Sequence, residues 1–153
     1  MLFVVALIVG IVAGLRAATP LAALAWASYL GWINLSSTWA SFVGNIIVVV
    51  ILTLFALVEY VTDQLPTTPS RKVPPQFAAR VIVGGVVGLV IGLPSGAYII
   101  TLVLGVIGAI IGTLGGAEAR GRLAKAFGRD LPAGLLEDVV AIVVAFLALH
   151  ALG

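Results

Sequence analysis

Charged residues divide the chain into a few long apolar stretches. Residues 17–58 and 81–117 carry no charge, and residues 1–15 and 139–153 form one shorter apolar segment at each end. A transmembrane helix needs about 20 predominantly apolar residues, so each long stretch has room for nearly two passes. The apolar segments do not alternate between apolar and polar positions as the strands of a membrane barrel do. The pattern therefore predicts an all-α integral membrane protein.

The apolar stretches predict about five transmembrane helices, over residues 2–18, 42–62, 77–93, 97–116 and 135–152. The first helix ends near residue 18 or continues through Pro20 to residue 30. The third helix is ended by Pro94, Ser95 and Gly96. A repeat between the two ends of the chain, described below, would add two helices at the membrane interfaces, an apolar one over residues 19–30 and a basic amphipathic one over residues 118–127. We treat residues 1–153 as a single helical membrane domain.

Composition supports the membrane class and excludes several others. Apolar residues make up 62% of the chain, charged residues make up 9%, and the mean hydropathy is +1.27. Soluble domains carry about 25% charged residues, so a soluble domain, a disordered chain and a coiled coil are excluded. The absence of cysteine excludes disulfides and thiolate metal sites. We expect the lipid bilayer as a partner and no nucleic acid, because no basic surface interleaved with aromatic residues is present.

The cations fall mainly on one side of the predicted topology. Five passes place the N-terminus and the two charged connections on the same side, and that side is cytoplasmic by the positive-inside rule. The C-terminus is then outside. Seven of the eight Lys and Arg residues lie on the cytoplasmic side: Arg71, Lys72, Arg80, Arg120, Arg122, Lys125 and Arg129.

A secretory signal peptide is the alternative interpretation of the first 20 residues. Its apolar run is present, but a basic start is missing and Arg16 occupies the position where a cleavage region is small and neutral. We therefore favour a transmembrane helix for this segment.

Glycines recur every four residues in three of the predicted helices, which aligns small residues along one face of each helix. We interpret these faces as seams of close helix packing; a sliding or pore-lining surface is the alternative. The series are Gly10 and Gly14; Gly84, Gly88 and Gly92; and Gly108, Gly112 and Gly116.

The two ends of the chain also resemble each other weakly. Gly10 and Gly14 are followed by a helical segment that ends at Gly31, and Gly108 and Gly112 by one that ends at Gly128. In the predicted topology the first and fourth helices run in opposite directions. We therefore hypothesise an inverted repeat that relates helices 1 and 2 to helices 4 and 5, an arrangement found in many secondary transporters.

Six charged residues in or near the apolar segments are candidates for a solute or ion path, because charges in a membrane usually face the protein interior or water. They are Arg16, Glu59, Asp63, Arg80, Glu137 and Asp138.

Arg16 has two interpretations, an arginine that extends to the outer interface and a partner for an anion or carboxylate at a broken helix. It lies one helix pass away from the other five residues. We therefore expect it to bond backbone carbonyls, including its own carbonyl freed by Pro20, rather than Glu59.

The four candidate carboxylates lie near the cytoplasmic ends of the second and fifth predicted helices. Glu137 and Asp138 suit the start of a helix, where the dipole favours negative charge. Glu59 and Asp63 share a face near the end of a helix, where the dipole opposes a carboxylate. Glu59 therefore needs a basic neighbour such as Arg80 or Arg120, and the interpretations left open are a structural ion pair and a proton or cation site.

Three further groups of residues are weaker candidates. The proline-rich loop between residues 63 and 80 offers hydroxyls beside two cations for an anion or phosphate, although an ordinary loop has the same composition; the residues are Thr68, Ser70, Arg71 and Lys72. The basic segment after the fourth helix is suited to anionic lipid through Arg122, Lys125 and Arg129. Asp130 is interpreted as a cap or turn residue, and His150 as a satisfied or solvated histidine rather than a metal ligand.

Four stretches of the sequence resemble a family of small bacterial membrane proteins known only as a domain of unknown function. The stretches, in order, are GLRAATP from Gly14, DQLPTTPSR from Asp63, GTLGG from Gly112 and EDVVAI from Glu137. The resemblance implies a helical protein of the bacterial inner membrane and implies no activity.

Two functions from different classes fit these observations. The first is a small transporter or channel for an unidentified small solute or ion, as a homo-oligomer because five short helices enclose little volume. The alternative is a non-catalytic membrane scaffold or lipid-binding protein. An enzyme is not expected, because no phosphate loop, zinc-binding His pair or nucleophile elbow is present, and no cofactor is predicted.

Overall fold

The computed structural model describes residues 1–63 and 73–153, and these residues form six α-helices and one short 3₁₀ helix. The 3₁₀ helix, Trp39–Gly44, lies between the second and third α-helices. No strand occurs in the described part of the chain. The α-helices are α1 Leu2–Leu15, α2 Ala18–Tyr29, α3 Ile46–Thr62, α4 Pro74–Gly92, α5 Tyr98–Phe127 and α6 Asp130–His150.

The first helix ends at Leu15, near the earlier of its two predicted ends, because the chain breaks at Arg16 and reverses. Arg16 has extended backbone angles, φ −144° and ψ 114°. Pro20 lies in the first turn of α2, where a missing amide proton costs no helix bond. At the other end of the hairpin, Leu2 of α1 and Trp32 beyond α2 line the same pocket. The segment that we predicted as an interfacial helix, residues 19–30, is therefore most of a helix that runs back beside α1.

The six helices run alternately between two ends of the molecule, which we name the Arg16 end and the Trp32 end. Leu2, Trp32, Pro94 and Leu152 surround one pocket at the Trp32 end. The start of α1 and the end of α6 therefore lie at the same end of the molecule, and the prediction of termini on opposite sides is wrong. The reversal at Arg16 adds one traverse to the five that we predicted.

Glycines hold α1, α4 and α5 together at the centre of the bundle. A Cβ atom at Gly10 would lie 2.9 Å from the Cα atom of Gly105, and one at Gly84 would lie 2.7 Å from the Cβ atom of Ala109. Ordinary van der Waals contact begins near 3.4 Å, so larger side chains would force these helices apart. The predicted interpretation of the glycine series as packing seams agrees with this geometry. We call the α1–α5 contact at Gly10, Gly14, Gly105, Gly108 and Gly112 the glycine seam.

The glycine seam joins parallel helices, which contradicts the inverted repeat. Gly10 faces Gly105 near the start of both helices, and Gly112 faces Ile11 further along. α1 and the first half of α5 thus run in the same direction. α5 then continues unbroken to Phe127, whereas the chain after α1 turns back. Residues 118–127 are accordingly the last part of α5 and not a separate interfacial helix.

Large apolar side chains cover the outside of the bundle, while its interior contains many small residues. Phe55 is 61% exposed and Leu147 is 65% exposed, whereas Ala13, Ala23 and Ala141 are fully buried. In water such a surface would be an aggregation site, but it suits contact with lipid chains. Three helices, α4, α5 and α6, are long and apolar enough to cross a membrane, and α1 and α3 are shorter apolar helices. These features are those of a membrane protein.

Candidate functional site

Arg16 lies completely buried at the break between α1 and α2 and contacts three carboxylates. Its Nε donates to Asp138 Oδ1 at 2.5 Å, and its Nη1 donates to Glu137 Oε1 at 2.5 Å. The same Nη1 lies 2.8 Å from Asp63 Oδ2. Since a buried guanidinium is stable only with partners of this kind, α3 and α6 are fixed to the helix break through this one side chain.

Backbone carbonyls complete the surroundings of Arg16. Nη1 also donates to the carbonyl of Leu15 at 3.1 Å, and Nη2 donates to the carbonyl of Gly134 at 3.3 Å. Of the two interpretations of Arg16, a partner for a carboxylate at a broken helix agrees with this geometry, whereas an arginine that extends to the outer interface does not. The backbone carbonyls that we expected are present, but the three carboxylates bind Arg16 as well, because the reversal of the chain places it beside the end of α3 and the start of α6.

Glu59 occupies the N-terminus of α2. Its Oε2 accepts a hydrogen bond from the amide of Ala17, and its Oε1 accepts one from the amide of Ala18, both at 3.0 Å. The first amides of a helix have no partner within the helix and carry partial positive charge. Glu59 lies near the C-terminus of α3, where the dipole of α3 opposes its charge, and it is stabilised by the dipole at the N-terminus of α2.

Arg80 is buried beside the same helix break. Its Nη1 donates to the carbonyl of Gly14 at 3.0 Å, which α1 leaves without a helix partner at its end. Arg80 and Arg16 also stabilise the charge of Glu59 electrostatically. The predicted proximity of Glu59 and Arg80 is therefore present, although the hydrogen bonds of Glu59 described above go to backbone amides.

Asp63 links the buried arginine to a second one nearer the surface. Arg120 on α5 donates to Asp63 Oδ2 through Nη1 and to the Asp63 carbonyl through Nη2 at 3.3 Å. Arg120 also holds both carboxylate oxygens of Asp130, at 3.0 Å and 2.6 Å. One chain of contacts therefore leads from Arg16 to the α5–α6 connection. We call the charged residues around the helix break the ion network; its members are Arg16, Glu59, Asp63, Arg80, Arg120, Asp130, Glu137 and Asp138.

Polar contacts continue from the ion network along the interface between α2 and α3. The hydroxyls of Thr19 and Tyr60 lie 2.7 Å apart. Nearer the Trp32 end, Trp26 Nε1 donates to Thr53 Oγ1 at 3.0 Å. Between these two contacts is a groove of about 160 Å³, bordered also by α6. We call it the α2–α3 groove; most of its surface is apolar.

A larger pocket of about 650 Å³ opens at the Trp32 end of the same interface. Its polar side chains are hydroxyls and amides, and no charged residue lines it. We call it the Asn34 pocket. It is lined by Ser28, Gly31, Ile33, Asn34, Leu35, Ser36, Ser41, Phe42, Gly44 and Asn45.

A family described as "Domain of unknown function (DUF4126)" matches residues 3–151. The chain belongs to this family. Neither the curated proteins nor the solved structures contain a match to the chain. The family has no assigned activity, so the role of the ion network must be argued from its own geometry.

All six residues predicted for a solute or ion path lie in the ion network. Thr19 and Tyr60 are not among the predicted candidates. Arg120, predicted as a possible basic neighbour of Glu59, pairs instead with Asp63 and Asp130. Thr19 and Tyr60 follow Arg16 and Glu59 closely in sequence, which is the signal that could have indicated them. Asp130, predicted as a cap or turn residue, is the first residue of α6 and pairs with Arg120.

The remaining predicted residues lie outside the ion network. Arg122 pairs with Glu118 at 3.1 Å on the surface of α5, and Lys125 and Arg129 are exposed near the α5–α6 connection. His150 packs edge-on against Trp32, with ring centroids 4.7 Å apart. The candidate anion-binding residues Thr68, Ser70, Arg71 and Lys72 lie outside the described residues. Within residues 1–63 and 73–153, no group of three or more His, Asp or Glu side chains is arranged to hold a metal ion.

Proposed function

We propose that this chain is a small membrane transporter or channel and that the ion network is the site through which a small ion passes. The observation that carries the proposal is the fully buried Arg16, held by Asp63, Glu137 and Asp138 at a break between two apolar helices. Ionisable residues inside a membrane are costly and usually serve an ion or solute path. Broken helices at membrane depth form the sites of many transporters.

The dimensions of the bundle support a position of the ion network within the membrane. α1 has 14 residues, which at 1.5 Å per residue span about 21 Å from the Trp32 end to Arg16. The hydrocarbon layer is about 30 Å thick. Exposed apolar side chains lie at the level of Arg16, at Val61 on α3 and Leu135 on α6, and Leu131 lies beyond it, before Gly134 on α6. These features support a position of the network within the apolar belt of the protein, toward its Arg16 end.

The proton is the ion that fits this network most directly. Asp63, Glu137 and Asp138 contact Arg16 closely, and a proton can join a carboxylate without additional volume. A metal cation would need several oxygen ligands at its coordination distance. We therefore propose proton conduction or proton-coupled transport.

The test is ion flux in liposomes that contain the purified protein. A potential is imposed with potassium and valinomycin, and an internal pH dye reports proton entry; chloride and sodium gradients are assayed in parallel. We expect proton flux from the parent and at least a tenfold reduction in Asp138→Asn, which keeps the side-chain shape but removes the charge. Glu118→Gln is the matched control, because Glu118 is an exposed carboxylate on α5.

Each outcome bears on the proposal. Flux that persists unchanged in folded Asp138→Asn would refute the role of the ion network. A folded parent that passes none of the three ions would refute ion transport by this chain. A defect of equal size in the Glu118→Gln control would show that the assay reports general damage to the protein.

A non-catalytic scaffold or lipid-binding protein is the second candidate. It is favoured by the close packing of α1, α4 and α5 and by the exposed cations Arg122, Lys125 and Arg129 on the α5–α6 hairpin. Such cations attract anionic head groups by about 1 kcal/mol each near the membrane surface. Retention of phosphatidylglycerol over phosphatidylcholine during purification, lost when the three cations are changed to Gln, would support it.

We retain two further proposals for this chain. It acts without catalysis, and it functions as a homo-oligomer. Native mass spectrometry in a mild detergent tests the second: a monomer at all protein concentrations would contradict it.

A further inference from the structure

Polar contacts join α2 to α3 at separate levels of their interface. At the Arg16 end, Glu59 accepts hydrogen bonds from two amides of α2, and Tyr60 contacts Thr19. About two turns nearer the Trp32 end, Thr53 of α3 accepts a hydrogen bond from Trp26 of α2. Contacts of this kind are directional and can be released one at a time, unlike a close-packed apolar interface.

α3 is the helix with the least burial in the bundle. Val49 and Ala56 are the buried residues among its 17, whereas Phe55, Val58 and Val61 face outward. Its main neighbours are α2 and the 3₁₀ helix Trp39–Gly44. α2, by contrast, also packs against α1, α4 and α6. Asp63 keeps the end of α3 bound to Arg16 and Arg120. A movement that opens the α2–α3 interface would therefore displace α3 about this end and leave the rest of the bundle in place.

The α2–α3 interface connects two polar regions through an apolar interval. The Asn34 pocket lies at one end and Glu59 of the ion network at the other. Between them the α2–α3 groove is bordered by apolar side chains, among them Ala22, Ala56 and Phe146. An apolar constriction can exclude ions by remaining dry, and we therefore interpret the described conformation as closed.

We propose that the ion path of the proposed function runs along the α2–α3 interface and that α3 is its gate. This inference rests on the proposed function, since a gate requires an ion that passes. Separation of α3 from α2 would hydrate the groove and join the Asn34 pocket to Glu59. The contacts of Glu59, Tyr60 and Thr53 with α2 then act as the latch of the closed state.

A disulfide between α2 and α3 tests the gate directly, because the chain has no cysteine of its own. Ala22→Cys and Ala56→Cys place thiols on the two sides of the groove. We expect the oxidised double variant to lose at least tenfold in proton flux and to recover it after reduction. The control pair, Gly85→Cys with Val106→Cys, joins α4 to α5 and should leave flux unchanged in both redox states.

A second variant tests the latch without a cross-link. Tyr60→Phe removes the hydroxyl that contacts Thr19. The loss of a hydrogen bond of about 1 kcal/mol should raise the open population, and hence proton flux, by roughly fivefold. Tyr98→Phe on α5, away from the α2–α3 interface, is the matched control and should conduct at the parental rate.

The outcomes separate the gate from the proposed function. An active parent whose oxidised Ala22→Cys/Ala56→Cys form conducts as well as the reduced form overturns the gate and leaves ion transport standing. Equal flux in Tyr60→Phe and the parent overturns the latch. A parent that conducts no ion overturns the proposed function, and the gate fails with it.

Discussion

The glycine seam predicts how much one added methyl group changes the stability of the protein at two positions of α5. Gly112 and Gly115 lie three residues apart on α5, but only Gly112 faces another helix. A Cβ atom at Gly112 would lie 2.8 Å from the carbonyl carbon of Ile11 and closer still to its oxygen, whereas a Cβ atom at Gly115 meets no atom within 4 Å. Gly112→Ala and Gly115→Ala therefore add the same atoms to the same helix in opposite environments.

The magnitude follows from the separation that Gly112→Ala needs. Ordinary contact begins near 3.4 Å, so α1 and α5 must move apart by at least about 0.6 Å at the carbonyl carbon, and backbone atoms cannot rotate away. Overpacking of this kind typically costs about 1–3 kcal/mol. In a chain of this size each kcal/mol lowers the melting temperature by about 2–4 °C. Gly115→Ala should instead be neutral or stabilising by up to about 1 kcal/mol, because alanine favours the helix.

The assay is thermal unfolding in one detergent at one scan rate, because unfolding of such proteins is often irreversible and the apparent midpoint depends on the rate. We expect Gly112→Ala to melt several degrees below the parent and Gly115→Ala to melt at or above it. Equal midpoints for the two variants would refute the close approach of α1 and α5 at this position. A lower midpoint for Gly115→Ala alone would place the helix contact on the opposite face of α5.

Three further predictions address the ion network, the topology and the α2–α3 interface. Arg16→Met leaves three carboxylates without their buried partner and should cost about 3–5 kcal/mol, while Arg122→Met at an exposed pair should cost about 0–1 kcal/mol; similar melting temperatures would contradict the burial of Arg16. A protease-sensitive tag on the N-terminus should be cleaved from the same membrane side on which Ser95→Cys reacts with an impermeant thiol reagent, and Glu118→Cys should react only from the other side. Labelling of Glu118→Cys from the side of the tag would contradict the reversal at Arg16. Thr53→Val leaves Trp26 Nε1 without its hydrogen-bond partner and should destabilise the fold by about 1–3 kcal/mol, measured by the same melting assay; an unchanged midpoint would show that this contact does not hold α3.

The sequence by itself determined the class of protein and the location of most of the site. Long uncharged segments and 9% charged residues require helices in lipid, because no water is present there to satisfy the backbone. The placement of Glu59, Arg80 and Asp138 at neighbouring helix ends also followed from the chain, since each lies at the border of an apolar segment. These conclusions depend on composition and on positions along the chain, which are fully contained in the sequence.

The tertiary structure decided where Arg16 lies and how the glycine-rich helices are oriented. Pro20 suits the first turn of a new helix and also a kink within a longer one, so local signals left the reversal open. The reversal is favoured by contacts of Arg16 with carboxylates of α3 and α6 and by contacts of Glu59 with the amides of Ala17 and Ala18. These groups are distant in sequence, so no local pattern reports their contacts. A four-residue glycine spacing permits close approach of parallel and antiparallel helices alike. The parallel contact of Gly10 with Gly105 is set by the reversal at Arg16, because that turn fixes the direction of every later helix relative to α1.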